Sequence, residues 1–281
     1  MFDRIKNQAR LLNHAWRCSG LPKSHPEAFL SQPRPAGRVI ACLGDSITHG
    51  NVSYNWIDDL RYASELEPSH FINAGINGNV VWQLNQRLPT ILACQPDAAI
   101  VLIGTNDVMG SFHPADGKAY QRGGKLPSVP SQQQFRQEYR KLLRGLQKLE
   151  NVAVCTLPPL GEEPESAINK MVASFNRDIQ SIAKEENAVV LPLGEQLLEI
   201  IQNRHAPPRE DYRPGPFQRL IPIARALRGY YLLEQSWDQA AATRGLELLP
   251  DHIHLGEMGG QILRDLVLDY LQEIENPLNL P

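Results

Sequence analysis

Residues 38–50 read "RVIACLGDSITHG". The apolar run 39–44 is too short for a helix and ends abruptly at Gly44-Asp45-Ser46, where turn and helix-start residues take over. A run of four to eight apolar residues bounded in this way reads as a buried strand. Four more such runs follow: "FINAG" (71–75), "AAIVLIG" (98–104), "VAVCTLP" (152–158) and "AVVLPL" (188–193). Helical patterns over 53–66, 80–93, 132–149 and 166–186 separate them. Strands alternating with helices imply βαβ units and a five-stranded parallel sheet with both faces covered.

The rest of the chain fits this frame. Its 281 residues suffice for one large α/β domain without disulfide staples. Against 28 Lys and Arg stand 31 Asp and Glu, a net charge of -3 without the basic footprint of a nucleic-acid binder. Of the four cysteines, Cys42 and Cys155 sit inside strand runs as small hydrophobes, and no C-x-x-C spacing suggests zinc or dithiol chemistry. No stretch approaches the length of a spanning helix. The first residues carry no apolar signal-peptide core, so a cytoplasmic protein is expected. Phe2, Ile5, Ala9, Leu12 and Trp16 recur at helical spacing, and that helix either packs on the protein or a neighbour or lies on a membrane surface. The Pro/Gly-rich "SQPRPAGR" (31–38) reads as a linker. The division is then a helical extension with linker over 1–37 and a main domain over 38–281.

After the fifth strand the alternation breaks. A helix over 194–203 leads into the proline-rich "HAPPREDYRPGPF" (205–217). An apolar helical pattern then runs from Phe217 to Trp237 through Leu220, Ile221, Ala224, Leu227 and Tyr231. A closing helix starts near Gly256. The segment of about 204–250 is therefore a helical insertion: a lid, an interface, or a stripe packed on the domain.

In open parallel sheets, functional residues collect beyond the carboxyl ends of the strands. Those ends offer Ser46, the glycine-bearing segment through Gly78, and Asn106; the turn before the last helix offers Asp251 and His254. These are the parts of acyl transfer. A serine hydroxyl needs a neighbouring imidazole to take its proton. The imidazole needs an acceptor on its other nitrogen. A tetrahedral oxyanion needs donors already in place.

"GDSIT" (44–48), "INGNV" (76–80), "IGTND" (103–107) and "DHIH" (251–254) resemble, in order, blocks I, II, III and V of the GDSL lipases and esterases, the SGNH hydrolases. The resemblance implies a three-layer α/β/α sandwich, flavodoxin-like, and a serine esterase working through an acyl-enzyme without cofactor or metal. It implies Ser46 as nucleophile, His254 as base and Asp251 as the residue orienting His254. It assigns the oxyanion hole to the Ser46 and Gly78 amides and the Asn106 side chain. The expected partner is a small-molecule, lipid or sugar ester, and a homo-oligomer is compatible with the chain. Acyl transfer, thioesterase or lysophospholipase chemistry on the same fold, and a non-catalytic binding protein, are the competing readings.

Taken singly, these residues read differently. Ser46 alone would be a helix cap, for which Asp45 is the better candidate; Asn106 alone would be a turn residue. Asp107 is expected to order its loop. His252 is expected at the surface or behind the site, and His49 either lines the pocket or is exposed. The segment 108–131 reads as a long loop, functional or disordered, with His113, Lys118, Arg122 and Lys125 solvated.

Overall fold

The computed structural model describes residues 20–62, 69–204 and 206–275. Strands β1 (Arg38–Gly44), β2 (Ser69–Gly75), β3 (Ala98–Leu102), β4 (Asn151–Cys155) and β5 (Val189–Leu191) pair in the order β2-β1-β3-β4-β5. Every pairing is parallel. With helices flanking the sheet, this is the flavodoxin-like order, in which the chain reverses its direction of sheet growth between β1 and β3. Central β3 is buried throughout and β1 everywhere beyond Arg38. That is why both strands read as unbroken apolar runs rather than as alternation.

The early helices are α1 (Pro26–Leu30), α2 (Ser46–His49), α3 (Trp56–Leu60) and α4 (Val81–Ala93). The middle of the chain supplies α5 (Thr105–Phe112), α6 (Pro114–Gly123), α7 (Gln132–Leu146) and α8 (Ala167–Glu185). After β5 come α9 (Leu193–Gln202), α10 (Pro216–Leu233), α11 (Trp237–Ala242) and α12 (Glu257–Glu275). Ser131 and Ser166 cap α7 and α8 by accepting the amides of Gln134 and Asn169, as serine does where a helix opens. Phe135 and Tyr139 of α7 and Phe175 of α8 form an aromatic knot, with Phe135 4.7 Å from the Phe175 ring centre. Cys42 and Cys155 are buried free thiols in the core. Phe29 of α1 packs beneath the sheet edge on Val39, Ile72 and Cys94.

Three expectations are corrected. The segment 108–131 is mostly helical: α5 runs on to Phe112, and Pro114 restarts the chain as α6. Proline is pre-set for a first helical turn. Gly110 and Gly117 let α5 and α6 close up; a Cβ on Gly117 would lie 2.6 Å from the Gly110 carbonyl oxygen. The apolar pattern 217–237 is two helices, not one, because Glu234 takes a left-handed conformation (φ 57°) and Ser236 caps α11. The first part of its stripe is not packed on the domain: Phe217 is 80% exposed, Leu220 59% and Ile221 57%, whereas Trp237 is buried. The helix expected from residue 53 starts only at Trp56, after an Asn55 cap. The expected N-terminal helix, with Phe2, Ile5, Ala9, Leu12 and Trp16, lies outside the described residues.

Candidate active site

The sheet register sets the site. Gly44 pairs with Gly75 on one side and Leu102 on the other, so β1, β2 and β3 end level and release three loops at one edge. A Cβ on Gly44 would lie 2.0 Å from the Thr48 hydroxyl and 2.4 Å from the Leu102 carbonyl oxygen. Only glycine lets the first turn of α2 fold back so tightly over the strand end. The cap of α2 is Asp45, not Ser46: its carboxylate accepts the Ile47 amide at 3.1 Å. Ser46 is thus the first residue of the helix, with an amide that has no intrahelical partner.

Ser46, His254 and Asp251 stand in hydrogen-bonded series. Ser46 Oγ lies 2.9 Å from His254 Nε2, and His254 Nδ1 lies 2.6 Å from Asp251 Oδ2. An ionised carboxylate only accepts, so Nδ1 carries the proton and Nε2 faces the hydroxyl as acceptor. The second oxygen, Asp251 Oδ1, accepts the amides of Ile253 (3.0 Å) and His254 (2.8 Å). The D-x-x-H turn therefore closes on its own aspartate and aims the imidazole. Burial opposes an imidazolium at His254, but Asp251, and beyond it Asp45, outweigh that and hold the ring pKa above its ordinary 6.5. Burial likewise opposes the Asp251 carboxylate, but His254 and the two amides overcome it and bring the group below its ordinary value. An imidazole so held can accept a hydroxyl proton and stay charged while an acyl centre reacts.

Gly78 and Asn106 are drawn to the same edge through their neighbours. Asn106 Nδ2 donates to the carbonyl of Asn79 at 2.9 Å and to Asp45 Oδ2 at 3.2 Å. Gly78 adopts φ +74° with open space where a Cβ would sit, a conformation natural only to glycine. Its amide donates to no protein acceptor among the described residues. Burial pushes the Asp45 carboxyl up to about 6, with the Ile47 amide, His254 and Arg87 pulling the other way.

The other singled-out residues have structural partners. Asp107 accepts the Val81 amide at the start of α4. His49 neither lines a described cavity nor is exposed: it is buried on the Gly20 carbonyl, at 2.9 Å. His252 is buried rather than at the surface. It takes a left-handed φ of +72°, a strained choice for a non-glycine residue, and its carbonyl accepts the Gly161 amide at 2.8 Å.

Several residues of the site have no sequence signal. Tyr120 of α6 donates its hydroxyl to Asn106 Oδ1 at 2.6 Å. Arg87 of α4 ties down the ends of β1 and β2 by donating to the carbonyls of Gly44 (2.9 Å) and Ala74 (2.5 Å). Buried Glu162 gathers the amides of Glu247, Leu248 and Leu249 and pairs with Arg204 at 3.0 Å. It thereby ties down the 247–249 segment that leads to Asp251. A cavity of about 280 Å³ borders the 251–254 turn, lined by Asp251, His252 and the insertion residues Tyr212, Arg213, Arg219 and Arg225.

The sequence model of the GDSL-like Lipase/Acylhydrolase family matches residues 42–262. The chain belongs to that family. It is accordingly a hydrolase acting on ester bonds. No curated protein matches the chain in sequence. Among solved structures, the fold is similar to acetylxylan esterase Axe2 from Geobacillus stearothermophilus (16% identity, TM-score 0.57, 85% of this chain and 96% of that one). It is also similar to acetyl xylan esterase AlAXEase (18% identity, TM-score 0.54, 82% and 98%). A third similar structure is LAE5, an alpha/beta hydrolase enzyme from the metagenome of Lake Arreo, Spain (16% identity, TM-score 0.56, 84% and 95%). These likenesses are of fold. Like its relatives by fold, the GDSL-like chain has the parallel sheet whose switch point opens between β1 and β3. Among its described residues no helix is long and apolar enough to cross a membrane.

Proposed function

We propose that the protein is a serine esterase that cleaves short-chain acyl esters through an acyl-enzyme. Ser46 is the nucleophile, His254 the general base and acid, and Asp251 the residue that fixes the imidazole tautomer. The observation that carries this reading is the series Ser46 Oγ, His254, Asp251 at 2.9 and 2.6 Å. In the first half-reaction Ser46 Oγ bonds to the ester carbonyl carbon while its proton passes to His254 Nε2. The oxyanion takes hydrogen bonds from the Ser46 and Gly78 amides and from Asn106 Nδ2. The longer, 3.2 Å contact of Nδ2 to Asp45 is the one given up to it. Collapse breaks the bond to the alcohol, which leaves with the proton from His254. Water then repeats the sequence on the acyl-enzyme, restoring Ser46.

The relatives by fold add support. Crystal structures of catalytic mutants of Axe2 substitute a serine, an aspartate and a histidine, with the aspartate three positions before the histidine. Asp251 and His254 have that spacing. The charged side chains of Glu210, Asp211, Arg213, Arg219 and Arg225 around the cavity beside Asp251 favour a polar alcohol, and the names of the acetylxylan esterases similar in fold favour a small acyl group. This reverses the weight that the apolar pattern of 217–237 lends to acyl chains, since Phe217 and Leu220 are exposed and Trp237 is buried in packing.

The test is p-nitrophenyl acetate hydrolysis by Ser46→Ala. Activity should fall to the uncatalysed background with the melting temperature kept; retained activity removes Ser46 from the mechanism. Comparison of C2 with C8 esters tests the chain length, with C2 expected to be faster.

A further inference from the structure

The carboxamide of Asn106 is held on all sides, and one of its holders reaches outside the four sequence blocks. Its Oδ1 accepts the Tyr120 hydroxyl at 2.6 Å; its Nδ2 donates to Asn79 and Asp45. An asparagine amide rotates readily between two orientations that exchange donor and acceptor, and its partners decide between them. The Asn79 carbonyl, which only accepts, fixes the Nδ2 side, and the Tyr120 hydroxyl then donates to Oδ1. Burial holds the Tyr120 phenol pKa far above the ordinary value, so the hydroxyl keeps the proton it donates.

Tyr120 is itself clamped. Arg219, on α10 of the insertion, lies over its ring with the guanidinium carbon 5.3 Å from the ring centre. Arg219 pairs at 2.8 Å with Asp116, a fully buried carboxylate on the same helix as Tyr120. Asp116 also accepts the Gly215 amide at the entry to α10, at 2.7 Å. A continuous line thus runs from the inserted helix through Arg219 and the Tyr120 ring to the one oxyanion donor supplied by a side chain.

We propose that Tyr120 is a positioning residue for ester hydrolysis: it braces the Asn106 carboxamide from its Oδ1 end and polarises it, strengthening Nδ2 as a donor to the oxyanion, and Arg219 makes that brace depend on the insertion. The inference rests on the proposed role of Asn106. A hydrogen bond received at Oδ1 strengthens the donation from Nδ2. Without it Oδ1 is a buried acceptor lacking its partner, and the amide is less polarised and less firmly held.

The experiment is a double-mutant cycle on p-nitrophenyl acetate, with Ser46→Ala as the blank. Tyr120→Phe keeps the ring beneath Arg219, and its melting temperature reports on the fold. It should lower kcat about tenfold with KM within about twofold, an effect on the transition state alone. In an Asn106→Ala background the same change should cost less than about twofold, because the group it positions is gone. Arg219→Lys, which keeps the charge beside Asp116 but not the planar stack, provides an independent arm. It should lower kcat about threefold, again only while Asn106 is present. Equal losses in both backgrounds, or an unchanged kcat in Tyr120→Phe, would overturn the inference. If Asn106→Ala loses its donor effect while Tyr120→Phe is silent, this inference alone fails. If Asn106→Ala itself is silent, the oxyanion assignment fails with it.

Discussion

The two walls of the site are built differently. On one side, Ser46 and the 251–254 turn are set by local backbone geometry: Asp45 caps its own helix, and Asp251 closes its own turn through two amides. On the other, Asn106 is set by side chains from distant segments, Tyr120 from α6 and, behind it, Arg219 from α10. In the proposed mechanism, proton transfer rests on the local wall. The one oxyanion donor that is a side chain rests on the long-range wall, where the insertion would act on it.

Mutations should separate the walls by magnitude. His254→Ala should lower kcat by about 10⁴–10⁶-fold, since the nucleophile and its base act as a unit. Asp251→Asn should cost about 10⁴-fold, through the wrong imidazole tautomer. Asn106→Ala should cost about 10²–10³-fold, the loss of one oxyanion donor. Steady-state kinetics on p-nitrophenyl acetate checks all three. An Asn106→Ala loss as large as that of His254→Ala would dissolve the distinction.

The pH profile sharpens the local wall. The folded His254 pKa lies above 6.5, and the base is active only when neutral. The kcat/KM of the free enzyme should therefore rise with pH to a plateau, with a midpoint above 6.5. In Asp251→Asn the attraction is lost while burial remains, so the midpoint of the residual activity should move to lower pH. Asp45→Asn, which still caps α2, should move it in the same direction but less far. A profile that stays flat from pH 5 to 8 would contradict His254 as base.

Stability should also separate them. Glu162→Gln leaves Arg204 without its buried partner and should destabilise the fold by roughly 3 kcal/mol. Thermal melting measures this, with activity at low temperature largely retained. An unchanged melting temperature would show that the approach to Asp251 is held by something else.

This contrast also explains what the sequence disclosed. The parallel sheet was legible because buried parallel strands are apolar on both faces, as β1 and β3 show. The local wall was legible because each of its motifs holds its own turn within a few residues. The helix α6 was not: Gly117 and Gly123 weaken its helix propensity, while the packing value of Gly117 appears only once it meets Gly110 of α5. Tyr120, Arg219 and Glu162 act on residues 14, 103 and 85 to 87 positions away (Asn106, Asp116 and the amides of 247–249). No spacing rule reaches the last two. The first lay in a stretch that reads as a loop. The outward apolar residues of α10 misled in the opposite sense, since helical periodicity alone does not say which face is covered.

The central claim is that Ser46 is an activated nucleophile. Intact-protein mass spectrometry after treatment with a fluorophosphonate tests it most directly. The account predicts a single adduct, mapped to Ser46, that is lost in Ser46→Ala and slowed in His254→Ala. An unlabelled protein, or an adduct that persists in Ser46→Ala, would contradict it.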